Sequence, residues 1–261
     1  MINDERWISI RKTPTVVTQF PLRMIAKAFG LAIVPGGLTY NQDGLATGHN
    51  CDFMSDQAFI KAYRAGLATG SWGYNIHLEW RVFVVCWAAQ QAMHLDGDFV
   101  ECGVNRGGLA MSLIDFVKFE KSKKTFYLLD TFCGLVESLI TPAEKKLGKN
   151  PGGFVECYDE VCKTFQQFPN VVIIRGIVPE TLPLVKAERV AFLSIDMNCA
   201  APEIATGEFF WDKLVPGAII VLDDYSDFNF IEQKHAWDTF ARTHDTMVLN
   251  LPTGQGLLIK H

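Results

Sequence analysis

From Asp98 onward, short apolar runs alternate with segments whose apolar residues recur every three to four positions. That alternation predicts a parallel sheet with crossover helices, because a strand covered on both faces reads as a continuous apolar run. The runs are Phe99–Cys102, Thr125–Leu129, Val171–Ile174, Val190–Ile195 and Ala218–Leu222. Helical patterns fall at Leu109–Phe119, Cys157–Phe168, Pro179–Val185, Glu203–Leu214 and Ile231–Thr243. Two last apolar runs, Thr246–Leu249 and Gly256–Ile259, are separated by six residues around Pro252-Thr253-Gly254. Six residues are too few for a crossover, so these two predict an antiparallel hairpin. The expected fold is α/β and Rossmann-like, with five parallel strands and a C-terminal antiparallel hairpin.

Residues 1–95 lack this alternation and read as a mainly helical N-terminal extension to a domain at 96–261. One helix is expected near Ser55–Ala68, with Ser55 as N-cap before Phe59, Ile60, Tyr63 and Leu67 on one face. A second is expected near Ile76–His94, where Leu78, Val82, Val85 and Ala89 recur at helical spacing. Turns are marked by Gly36-Gly37, Asn41-Gln42-Asp43-Gly44 and Gly48-His49-Asn50. The connection from Thr131 to about Val155 is long for its place and reads equally as a lid or as an inert insertion.

Composition narrows the class. Of 261 residues 49% are apolar, and 24 Lys+Arg against 29 Asp+Glu leave a net charge of −5. An acidic chain lacks the basic excess of a nucleic-acid binder, so no nucleic-acid partner is expected. The seven cysteines are scattered without a C-x-x-C pair, which suggests neither a disulfide framework nor a zinc knuckle. The first residues, Met-Ile-Asn-Asp-Glu-Arg-Trp, lack a signal peptide's apolar core, and Val82–Ala89 is far shorter than the ~20 residues of a membrane span. The expectation is a cytoplasmic protein with no membrane partner. A homo-oligomer stays open.

Candidate chemistry gathers at the strand ends, where open α/β sheets bind ligands. The first strand runs into Glu101-Cys-Gly103-Val-Asn105-Arg-Gly107-Gly108, a G-x-x-x-G-G spacing distinct from the dinucleotide G-x-G-x-x-G. Glycines there bring backbone close to a ligand at a helix N-terminus. Asp130, followed by Thr131, closes the second strand and is placed to accept ribose hydroxyls. Glu101 suits a cationic amino group better than a pyrophosphate, which favours an amino-acid-bearing nucleoside such as S-adenosylmethionine. Both acids also fit ordinary loop-facing positions. Gly176 and Ile177 after the third strand fit an adenine wall, or a plain turn.

Asp196 ends the fourth strand, and Asp223 and Asp224 end the fifth. Three carboxylates on adjacent strand ends repel unless a cation lies among them, and oxygen-only ligands suit Mg²⁺ or Ca²⁺ rather than zinc. The competing reading makes Asp224 a helix cap and Asp196 a turn acceptor. Asn198 is a candidate fourth ligand. A divalent ion would lower the pKa of an acceptor hydroxyl and align it with a methyl sulfonium, so Asp196 is a catalytic candidate. His235 is a candidate base, although a lone helical histidine is more often surface or core. The catechol-type arrangement has a lysine where this chain has Cys199.

Several ordered motifs resemble the macrocin O-methyltransferase family: Glu101-Cys-Gly-Val-Asn-Arg-Gly-Gly, Tyr127-Leu-Leu-Asp-Thr-Phe-Cys-Gly-Leu, Gly176-Ile-Val-Pro-Glu-Thr-Leu-Pro, Ser194-Ile-Asp, and Glu208 through Val-Leu-Asp223-Asp224-Tyr225. The resemblance covers roughly residues 97–261 and implies a class I methyltransferase sheet. It also implies S-adenosylmethionine near Glu101 and Asp130, with Mg²⁺ on Asp196, Asp223 and Asp224. The acceptor it implies is a hydroxyl of a sugar or glycosylated small molecule. The chain departs from the family's Asp-x-Asp-Leu-Tyr, reading Asp196-Met-Asn198-Cys-Ala. Its N-terminal third is similar only around Trp80-Arg81. Trp72, Tyr74 and Trp80 fit sugar stacking, but buried packing more readily. The rivals are an NAD(P)-dependent sugar dehydrogenase or epimerase, which would need a Tyr-x-x-x-Lys pair that is absent here, and an inactive nucleoside-binding module.

Overall fold

The computed structural model describes residues 37–261 together with the backbone of Trp7–Ile10 and Ala32–Pro35. Gly36 of the expected Gly36-Gly37 turn and residues 1–6 lie outside the described residues. The chain divides into two compact units, Met1–Ser55 and Asp56–His261. In the first, Trp7–Ile10 pairs in parallel with Ala32–Pro35, and Tyr40–Gln42 pairs antiparallel with Leu45–Thr47. Asp43 and Gly44 turn that second pair at φ 50° and 71°, the left-handed conformation a tight two-residue hairpin loop requires.

The second unit begins with α1 (Gln57–Leu67) and α2 (Glu79–Ala92). It continues through β1 (Asp98–Cys102), α3 (Gly108–Val117) and β2 (Phe126–Asp130). Next come the short α4 (Pro142–Lys146), α5 (Tyr158–Phe165), β3 (Val171–Arg175) and β4 (Val190–Ile195). The remaining elements are α6 (Ala200–Trp211), β5 (Leu214–Leu222), α7 (Ile231–Thr243), β6 (Leu249–Asn250) and β7 (Gly256–Ile259). The sheet order is β6-β7-β5-β4-β1-β2-β3. Strands β1 to β5 are parallel, and β7 runs antiparallel to both β5 and β6. This is the expected class I methyltransferase sheet with its closing hairpin. The chain leaves the sheet centre toward β2 in one direction and from β4 toward β5 in the other, so the strand order reverses between β1 and β4.

The core explains the apolar runs. Every residue of β4 is buried, as are Phe99 to Cys102 of β1 and Phe126 to Leu129 of β2. Phe99 sits at the centre of an aromatic cluster, 5.0 Å from both Phe119 and Phe192 and edge-on to Phe126. Such ring pairs add about 0.5–1.5 kcal/mol each beyond their burial.

Several expectations shift. Helix α1 is capped by Asp56, whose carboxylate accepts the N–H of Ala58 (2.7 Å) and Phe59 (3.1 Å), while Ser55 ends a preceding 3₁₀ turn. Pro179–Val185 forms only a 3₁₀ turn at Leu182–Leu184, because Pro179 and Pro183 each remove an N–H that a helix would use. The last hairpin uses Leu249 and Asn250 where Thr246–Leu249 was expected. Helices α1 and α2, which precede the expected boundary at 95/96, belong to the same compact unit as the sheet. Gly66 of α1 approaches α3 so closely that a Cβ there would lie 2.1 Å from Ser112 Oγ and 2.6 Å from the Gly108 carbonyl. The described residues before Asp56 form the two strand pairs given above and a 3₁₀ turn at Asp52–Ser55. Among the described residues, no helix is long and apolar enough to cross a membrane.

Candidate functional site

The turn after β1 is built from residues that tolerate left-handed backbone. Gly103, Asn105 and Gly107 have φ of 87°, 48° and 80°. At Gly103 a Cβ would lie 1.9 Å from the carbonyl oxygen of Asp196, so only glycine lets the ends of β1 and β4 approach this closely. Gly107 starts α3, and a Cβ there would strike the Phe165 ring at 2.4 Å.

Asp130 holds this turn in shape. Its Oδ2 accepts the N–H of Val104 (2.6 Å) and Asn105 (2.7 Å), and its Oδ1 accepts the N–H of Phe132 (2.7 Å) and the Thr131 hydroxyl (3.3 Å). A carboxylate offers about four acceptor positions, so the loop engages them all. Asp130 therefore acts first as the organiser of the glycine turn, a role its strand-end position did not reveal.

Between the strand ends lies a cavity of about 340 Å³, within the size range of small-molecule sites. Gly103, Asn105, Asp130, Thr131, Gly176 and Ile177 line one side, and Asp196, Asn198, Cys199, Asp223 and Asp224 the other. Of the sequence-derived candidates, Glu101 and Gly107 stand behind this lining. His235 is exposed on the outside of α7, whose inward positions are Gln233, Trp237, Phe240 and Ala241, and it is not part of the cavity. It is thereby removed as a candidate base. Trp72 packs against Gly108 and Tyr63, Trp80 against Phe83, and Tyr74 is exposed; none lines the cavity.

The electrostatics of the site are those of crowded acids. Glu101 is buried in β1, and its Oε2 has no hydrogen-bond partner. Burial pushes its carboxyl well above the usual carboxylate range, and the charges of Asp223 and Asp130 add to the rise. Asp196 is raised in the same way, by burial and then by Asp223 and Asp224, and it accepts the Asn198 amide at 3.0 Å. Asp224 is pushed up to about 7 by burial and by Asp223.

A counter-charge arrives from α2. Arg81 Nη1 lies 2.8 Å from Asp223 Oδ2 and 3.3 Å from Asp224 Oδ1. The other Asp223 oxygen accepts the Gln255 amide at 3.0 Å, and Gln255 also donates to the Arg81 carbonyl at 3.3 Å. Arg81 and Gln255 were not legible as site residues, since they precede and follow Asp223 by 142 and 32 positions.

The 131–157 connection closes over the cavity. Gly134–Leu135 pairs with Gly152–Gly153, and Thr131 through Val136, Leu139, Phe154 and Cys157 line the cavity wall. A capping box joins Thr141 and Glu144, and the buried Glu144 also accepts the Ala200 N–H at 2.7 Å, tying the connection to the start of α6. Of the two readings the sequence left open, this is the geometry of a lid.

Among curated proteins, no relative matches the chain in sequence. Solved structures share its fold. The O-methyltransferase NovP superposes with a TM-score of 0.62 at 19% identity, covering 77% of this chain and 87% of its own. The calicheamicin methyltransferase CalS11 gives 0.55 at 14% identity, covering 82% and 98%. Cofactor-bound Rv0187 from MTB gives 0.51 at 14%, covering 78% and 90%. The family model of macrocin O-methyltransferase (TylF) matches residues 80–249, which run from the arginine-bearing α2 through the glycine turn, the lid and all three strand-end aspartates. With that match spanning most of the chain and the sheet order and cavity in agreement, the protein belongs to the macrocin O-methyltransferase family.

Proposed function

We propose that this O-methyltransferase family member transfers the methyl group of S-adenosylmethionine to a hydroxyl of a sugar or a sugar-bearing small molecule. The observation that carries the reading is the pairing of a glycine-turn wall with an acidic wall across one cavity, with the Glu101 carboxylate behind it. Glu101 supplies what a bound ammonium group needs, a buried carboxylate oxygen with no internal donor. Gly176, with Ile177 38% exposed beside it, offers a flat apolar surface for an adenine ring. The family is named for the O-methylation of macrocin, and the neighbour CalS11 is a TDP-rhamnose 3'-O-methyltransferase. Those names support a sugar acceptor here.

The residues also fit a divalent cation in part. Three carboxylates face one guanidinium, so negative charge remains uncompensated, and the oxygens are hard donors that suit Mg²⁺. Asp223 is committed to Arg81 and Gln255, which leaves Asp196 and Asp224 to hold the ion. Among the described residues, no three Asp, Glu, His or Cys side chains converge as a ready-made metal cage. A cation held by Asp196 and Asp224 would supply polarisation of the acceptor hydroxyl.

The chain's own residues do the rest. The glycine turn and Asp130 fix the cofactor's place, Glu101 orients its amino group, and the lid excludes water. The acceptor oxygen attacks the methyl carbon in line with the sulfonium, the carbon–sulfur bond breaks, and its electron pair stays on sulfur. Transfer of labelled methyl from S-adenosylmethionine to a panel of hexosides and nucleotide sugars tests this reading. Product is expected with Mg²⁺ present, and Asp196→Asn and Asp224→Asn should each slow transfer about 10²- to 10³-fold. Undiminished transfer in EDTA and by Asp224→Asn would remove the cation while leaving methyl transfer intact. No product from any acceptor would contradict the proposed acceptor class.

A further inference from the structure

We propose that Arg81 of α2 sets how tightly this site takes a divalent cation, by keeping Asp223 for itself and competing for Asp224. The inference rests on the cation reading above and goes beyond it by giving the ion a resident rival.

A single nitrogen of Arg81 serves both acids. Its Nη1 lies 2.8 Å from Asp223 Oδ2 and 3.3 Å from Asp224 Oδ1, and 3.4 Å from the Asp223 carbonyl oxygen. The three side chains are between 10% and 14% exposed, so solvent and salt screen their charges little. The β6–β7 turn fixes the arrangement. There the Gln255 amide donates to Asp223 Oδ1 at 3.0 Å and to the Arg81 carbonyl at 3.3 Å, and Gln255 Oε1 accepts the Thr253 hydroxyl at 3.0 Å. Gln255 and Thr253 are both buried. Asp223 is therefore held at both carboxylate oxygens, one by Arg81 and one by Gln255. Asp224 shares the arginine nitrogen at the longer distance and lines the cavity with Asp196.

That asymmetry decides which acid Arg81 gives up. Releasing Asp223 would break two buried hydrogen bonds to one carboxylate, one of them charge-assisted, whereas releasing Asp224 gives up one long contact. Arg81 keeps Asp223, yields Asp224, and leaves its own positive charge beside the site. Truncating Arg81 frees Asp223 as a third carboxylate and removes the opposing charge. Both changes tighten the site, because affinity for a hard cation follows the number and charge of its oxygen ligands. The same truncation leaves three crowded acids without their counter-ion, which destabilises the protein when no cation is added.

Calorimetric titration with MgCl₂ alone, without acceptor or S-adenosylmethionine, tests the assignment. Arg81→Met should bind Mg²⁺ about 10-fold or more tightly than wild type, and adding Asp223→Asn should cancel that gain. A lower melting temperature would follow from any lost buried ion pair, so Mg²⁺ affinity is the deciding readout. A second measurement uses the wild-type protein. Nuclear magnetic resonance of isotope-labelled arginine side chains, with the Arg81 Nε signal assigned by its absence from Arg81→Lys, should show that signal shifting along the calorimetric binding curve. The proposal is overturned by Mg²⁺ binding to Arg81→Met no tighter than to wild type, or by a gain that survives Asp223→Asn. It is equally overturned by an Arg81 signal that stays in place while wild type binds Mg²⁺. Each of these leaves the cation reading standing. Absence of Mg²⁺ binding to wild type and Arg81→Met alike would overturn both the proposal and the cation reading, with methyl transfer still decided by the acceptor panel.

Discussion

Gly103→Ala is expected to destabilise the protein by about 3 kcal/mol or more and to abolish S-adenosylhomocysteine binding. The residue adopts φ 87°, which costs an L side chain roughly 1–2 kcal/mol by itself. A Cβ would also meet the Asp196 carbonyl oxygen at 1.9 Å and the Asp196 carbonyl carbon at 2.4 Å. These are backbone atoms at the end of the central strand β4, so no side-chain rotation relieves the clash. The ends of β1 and β4 must separate, and they carry the glycine turn and Asp196 respectively. Thermal unfolding and titration calorimetry together read the effect. A variant with unchanged melting temperature and cofactor affinity would show that the β1–β4 approach does not shape the site.

Glu101→Gln should move stability and binding in opposite directions. The wild-type carboxyl is raised far above its unfolded value by burial, so the folded state holds its proton more tightly than the unfolded chain. Its contribution to stability is full below the unfolded pKa and is lost as pH rises through the folded one. Glutamine carries no such loss, and its advantage in apo stability should widen as pH rises. Binding runs the other way. A charge-assisted hydrogen bond to an ammonium is about twice as strong as a neutral one, so the variant should bind S-adenosylhomocysteine about 10- to 30-fold more weakly. Wild-type binding should also release a proton that Glu101→Gln does not release. Equal affinity for the two proteins would place the cofactor's amino group elsewhere.

The sheet could be read from the chain because parallel central strands are apolar on both faces, and Val190–Ile195 matched its apolar run without revision. Helix Ile231–Thr243 was legible at both ends for a related reason: its one-sided periodicity continues until His244. Local chemistry overrode pattern at Pro179–Val185, where two prolines break the helix the apolar spacing suggested. The three strand-end aspartates were legible because strand ends are where ligands bind. What surrounds them was not. Arg81 and Gln255 reach Asp223 only because α2 and the β6–β7 turn fold back over the end of β5, and no local spacing encodes that approach. His235 shows the converse, a chemically apt residue on the wrong face of its helix.

The central claim, an S-adenosylmethionine site on this sheet, is tested most directly by calorimetric titration of the wild-type protein with S-adenosylhomocysteine and, separately, NAD⁺. The account predicts saturable one-to-one binding of S-adenosylhomocysteine with proton release, and no heat of binding from NAD⁺. Binding of NAD⁺, or no binding of S-adenosylhomocysteine, would contradict it.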